Sequence, residues 1–157
     1  MTNGIRIRRA GRLLTLAVIV GSVLTVASTA GASNATLRVS VTSWSRTIGI
    51  DAHSVALAAQ NRHPRRMTSS ALRFRTDAIR ARTAVARQRP STTGGKRAQK
   101  LALAAFTDYE VAAQGWAAAG RARLQGDRAG AGRRARAAAI SARAGNKLLV
   151  AAGRVLR

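Results

Sequence analysis

Two apolar stripes, one on each side of Leu124-Gln125-Gly126-Asp127, leave this chain few folds to choose from. Before the turn the stripe runs Ala102, Phe106, Tyr109, Ala113, Trp116, Gly120, Leu124. After it the stripe runs Ala131, Ala135, Ala138, Ala142, Gly145, Leu149, Ala152, Leu156. Steps of three and four residues turn one face of a helix toward a partner. Glycine takes the left-handed conformation just past a helix end without penalty. Aspartate is a strong N-cap for the helix that follows. Side by side, Gly126 and Asp127 leave almost no loop, and the spacing predicts a tight antiparallel hairpin from Lys96 to Leu156.

The remaining segments read as helices too. Between Asn34 and Arg62, Leu37, Val39 and Val41 alternate as in a strand, but Leu37, Val41, Trp44, Ile48, Ala52, Val55 and Ala59 step at helical spacing over a longer window. A helix satisfies all seven positions. Asn34 is placed to cap it and His63-Pro64 to stop it, with Gly49 as an interruption point. From Thr68 to Arg89 a seven-residue repeat appears, LRFRTDA, IRARTAV, ARQRP. Ala71, Phe74, Ala78, Ala81 and Val85 form one apolar seam, and Leu72, Ile79 and Ala86 a second. Arg75 and Arg82 lie between the seams. Arg73, Arg80 and Arg87 line up on another face, about 10.5 Å apart, with Asp77 in reach of Arg73 or Arg80. The stretch from Arg89 to Gly95 reads as a loop. Its Gly94-Gly95-Lys96 ending fails as a phosphate-binding loop, which requires glycine where Pro90 stands and Ser or Thr where Arg97 stands. The fold expected is all-α, an up-down bundle of three to four helices in a single domain over 33–157. Its few large core residues are Trp44, Ile48, Phe74, Ile79, Phe106, Tyr109, Trp116, Leu148, Leu149 and Leu156, with alanine and glycine between them.

Residues 1–32 read as an export signal. Arg6, Arg8, Arg9 and Arg12 precede an apolar run from Leu13 to Val26, and Ala30-Gly31-Ala32 supplies small residues for cleavage. The alternative is an uncleaved anchor over residues 13–30, although a membrane span needs about 20 apolar residues. Either way the expected location is extracytoplasmic, secreted or in the cell envelope.

Charge carries the functional argument. The chain holds 28 Lys+Arg against 5 Asp+Glu, a net +23 over 157 residues. Lysine occurs only at Lys96, Lys100 and Lys147. Arginine in this excess, beside so much alanine and glycine, has two readings. One is selection for binding phosphate or carboxylate. The other is the codon bias of a GC-rich genome. There is no cysteine, which removes disulfides, thiolate metal sites and a thiol nucleophile. An aromatic content of 3% leaves few rings for base stacking.

No catalytic constellation emerges. Asp108 and Glu110 are two apart on a helix and splay. His53 and His63 lack the acidic or thiol neighbours that metal or acid–base chemistry needs. The tryptophans and Tyr109 stand at stripe positions and read as core rather than as a ligand pocket. No enzyme activity, metal or cofactor is expected.

The candidate polyanion-binding residues are Arg73, Arg80 and Arg87 on the second helix, with Arg136, Arg143, Lys147 and Arg154 on the last. Ile140 and Val150 lie near the basic side of that last helix, too few for a membrane-disrupting role. Given export, the partners expected first are anionic lipid or an envelope polymer, with extracellular nucleic acid second. A structural bundle is the competing reading, its small-residue seams taking a helix from another protein or from a second copy of the chain.

Overall fold

The computed structural model describes residues 32–157, so the expected export signal lies outside the described residues except for Ala32. The described chain is all helical. Its elements are α1 (Ala32–Gln60), α2 (Pro64–Ala86), α3 (Thr93–Leu124) and α4 (Arg128–Val155). Cross-helix pairs fix the direction of each. Arg73 of α2 meets Asp51 of α1, and Ser91, just past α2, meets Asn34 near the start of α1. Arg82 of α2 meets Glu110 of α3, and Phe74 stacks on Trp116. Gly145 of α4 lies against Ala105 of α3, and Ala138 against Gly115. In every pair one number falls as the other rises, so successive helices are antiparallel.

Two turns use the same device. At the end of α3, Gly126 adopts φ +82°. The Asp127 N–H donates to Ala122 O at 2.9 Å and the Gly126 N–H to Arg123 O at 3.2 Å. That double bond pattern is the Schellman closure, which satisfies carbonyls that a helix end leaves unpaired. Asp127 then caps α4 by accepting from the Gly130 N–H at 2.7 Å. That bond, with help from Arg134, holds the Asp127 carboxylate below its usual range. The end of α1 repeats the closure, with His63 N–H to Ala58 O at 2.9 Å and Arg62 N–H to Ala59 O at 3.2 Å. Here the left-handed residue is Arg62, at φ 56°.

Several expected boundaries shift. Asn34 lies inside α1 and caps nothing in it. Its side chain donates to Thr92 Oγ1 at 2.8 Å and accepts from Ser91 N–H at 3.2 Å, tying α1 to the loop ahead of α3. Gly49 does not break α1. Pro64 opens α2 at its first turn, where its missing N–H costs nothing. The loop before α3 is shorter than Arg89–Gly95, because Thr92 accepts from the Gly95 N–H at 3.0 Å and starts the helix at Thr93. At the other side of that loop, Gln99 Nε2 donates to Val85 O at 2.8 Å and to Gln88 O at 2.7 Å, covering the exposed carbonyl end of α2.

The core is a single cluster. Leu37, Phe74, Val85 and Phe106 are fully buried, and Phe74 sits between Tyr109 and Trp116 with ring centroids 5.8 and 5.7 Å away. α3 is the central helix, packed by α2 on one side and α4 on the other, while α2 and α4 do not meet. Small residues explain that closeness: a Cβ placed on Gly145 would stand 2.9 Å from Ala105 O. α1 rests mainly on α2 and approaches α3 and α4 lightly. Its inward residues are larger (Leu37, Val41, Trp44, Ile48, Val55) and hold its backbone farther off. Only one seam of α2 is buried. Leu72 is 46% exposed and Ala86 is exposed, so the second seam expected there faces water over most of its length. On α1, Ala58 rather than Ala59 closes the stripe, and Trp44 is only partly covered.

Candidate functional site: two arginine strips

The seven basic residues singled out from the sequence are all exposed. They form two strips on helices that do not meet. The strips differ in what they face.

On α2 the strip is largely spoken for. Arg73 Nε lies 3.0 Å from Asp51 Oδ1, and Arg80 Nη1 lies 3.2 Å from Asp77 Oδ1. Asp77 therefore takes Arg80, and Arg73 turns to an acid on another helix. Arg82, beside the strip, pairs with Glu110 of α3 at 3.0 Å. Of the three ladder residues only Arg87 has no carboxylate partner.

Asp51 is the site that the sequence reading missed. It is 1% exposed, and its Oδ2 has no hydrogen-bond partner. Burial pushes its carboxyl up to about 6, helped by the neighbouring Asp77 carboxyl and opposed by the Arg73 guanidinium. The signal was present: Ile48, Asp51 and Val55 step by three and four, which puts the acid on the buried face of α1.

On α4 the outer face reads Arg133, Arg136, Ile140, Arg143, Lys147, Val150, Arg154, Arg157, and every one is exposed. At about 100° per residue this run occupies roughly a third of the helix circumference. The Ala/Gly/Leu stripe lies roughly opposite and faces the core. None of the six cations makes an ion pair among the described residues. Arg134, off the stripe, bonds Asp127 at 3.2 Å. Asp108 lies against Gly145 on the inner side of α4, and Asp127, at the start of the helix, feels the charge of Arg133 as well as that of Arg134.

The other candidates fall into structural roles. Tyr109 is 3% exposed and its hydroxyl donates to Asn146 Oδ1 at 2.5 Å; burial pushes its pKa up, with Asp108 adding to the effect. His53 is exposed, and His63 precedes α2 without capping it through its side chain. Two open hollows lie at opposite ends of the bundle. One, of about 160 Å³, is lined by Asn34, Arg38, Thr92, Gly95 and Arg157. The other, of about 180 Å³, is lined by Ala58, Arg62, Met67, Arg123 and Ala135. Neither contains a carboxylate to work with a histidine. Among the described residues no group of three metal-ligating side chains occurs, and no helix is long and apolar enough to cross a membrane.

Comparison with protein families, with curated proteins and with solved structures finds no match.

Proposed function

We propose that this is an exported basic helical bundle that binds an anionic surface of the cell envelope, lipid headgroups or wall polymer, through the outer face of α4. The observation that carries the reading is the contrast between the two strips. On α2, Arg73 and Arg80 are paired with Asp51 of α1 and with Asp77, whereas six cations on α4 stand exposed and none of them makes an ion pair among the described residues. Rows of unpaired cations on a rigid helix attract polyanions, and the attraction fades as salt screens it. Of the residues proposed from the sequence, Arg136, Arg143, Lys147 and Arg154 thus carry the binding. Arg73 serves the α1–α2 contact, and Arg80 pairs with Asp77 within α2.

The three lysines provide the test. Lys147 stands in the α4 strip, while Lys96 and Lys100 stand exposed near the start of α3. Acylation of the protein, free and bound to anionic vesicles or to inorganic polyphosphate, should show Lys147 protected several-fold on binding. Lys96 and Lys100 should stay as reactive as before. Equal reactivity of all three in the bound state would remove α4 as the contact.

A further inference from the structure

The α4 strip is not purely cationic. Ile140 and Val150 fall in register with the six cations, and they are 66% and 53% exposed. Neither belongs to the core cluster or packs against it. Ten residues separate them, about 15 Å along the axis, and each stands between cations one turn before and one turn after. The run from Arg133 to Arg157 is about 36 Å long.

The geometry points to an anionic lipid bilayer as the surface that α4 contacts, the helix lying in the interface with Ile140 and Val150 below the level of the phosphates. The inference rests on the reading of α4 as the anion-binding face and names its partner. A hydrated polymer or a nucleic acid offers charge but no apolar layer for two aliphatic side chains. A bilayer offers both at the right depths: the headgroups meet the guanidinium and ammonium tips, and the upper acyl carbons meet the aliphatics and the arginine stems. No described helix is long and apolar enough to span the membrane.

The full chain has no cysteine, which allows one environment-sensitive dye to be attached at Ile140→Cys, with Leu72→Cys on α2 as the control position. The probes are vesicles of phosphatidylglycerol with phosphatidylcholine, vesicles of phosphatidylcholine alone, and soluble inorganic polyphosphate. A blue shift at position 140 but not at 72, seen on anionic vesicles and reversed by high salt, is the expected result. Unlabelled Ile140→Gln/Val150→Gln should partition at least about tenfold less into anionic vesicles, with polyphosphate affinity changed less than about twofold. The apolar run at 13–26 adds the same background to every variant, so the ratio between variants is the readout. If vesicles and polyphosphate both bind, position 140 stays in water and the double Gln variant loses nothing, the lipid assignment is overturned while the anionic-surface reading stands. If Arg143→Gln/Lys147→Gln leaves binding to both probes unchanged, both readings fall.

Discussion

Replacing Arg62 by glycine is expected to stabilise the protein by about 0.5–1 kcal/mol. Arg62 sits at φ 56°, in the position that Gly126 holds in the matching turn at φ +82°. A side chain with a Cβ in that conformation costs about 1–2 kcal/mol. Glycine removes the clash but adds unfolded-state entropy, which returns about 0.5–1 kcal/mol to the other side. No hydrogen bond is lost, because the closure is made by the backbone N–H groups of Arg62 and His63. The gain corresponds to about 2–4 °C in Tm for a domain of this size. Arg62→Ala removes the same charge and keeps the Cβ, so its stability should stay within about 0.5 kcal/mol of the parent. Gly126→Ala installs the clash in the other turn and should cost about 1 kcal/mol. Urea denaturation of the three variants beside the parent gives all the differences. If Arg62→Gly is no more stable than Arg62→Ala, the strain assigned to this turn is refuted.

Two further perturbations probe the packing and the buried acid. Gly145→Ala places a Cβ 2.9 Å from Ala105 O and should cost about 1 kcal/mol despite the helix propensity of alanine, whereas Gly153→Ala, with nothing within 4 Å, should gain about 0.5–1 kcal/mol; a gain at both positions in thermal melts would contradict the close α3–α4 approach. Asp51 titrates in the folded protein near 6, above its ordinary 3.8, so between those values the folded state binds more protons than the unfolded state and stability from this group falls as pH rises. Relative to Asp51→Asn, the parent should therefore gain on the order of 2 kcal/mol between pH 7 and pH 4, read as the difference in urea midpoints; a difference that stays flat, or grows toward neutral pH, would sink this account of Asp51.

What could be read from the sequence follows how local each cause is. Gly126-Asp127 announced its turn because both residues act within five positions of chain. At the other turn His63-Pro64 signals the end of α1, but the left-handed closure at Arg62 gives no signal, since no glycine stands there and the closing bonds to Ala58 and Ala59 form regardless. The α2 seam of Ala71, Phe74, Ala78, Ala81 and Val85 was legible from spacing. The second seam, Leu72, Ile79 and Ala86, is equally legible as a face, but spacing does not show how many neighbours a helix has, and Leu72 and Ala86 stay exposed. Arg73 illustrates the same limit in charge: Asp77 is within reach along α2, but the acid that pairs with it comes from α1. Asp51, by contrast, was readable from Ile48 and Val55. Ile140 and Val150 were seen near the basic side, and the eight-residue register places them within it.

The anion-binding claim for α4 is tested most directly by removing equal charge from two places. Arg136, Arg143 and Lys147 changed together to Gln take three cations from the strip. Arg65, Arg66 and Arg87 changed together to Gln take three exposed, unpaired cations from α2 and its C-cap and disturb no ion pair. At about fivefold per contacting cation, the α4 triple variant should bind anionic vesicles about a hundredfold more weakly at moderate salt, with helicity retained. The α2 triple variant should lose less than about threefold through the change in overall charge. Equal losses in the two variants would contradict the account, because binding would then follow net charge and no face of the protein would be special.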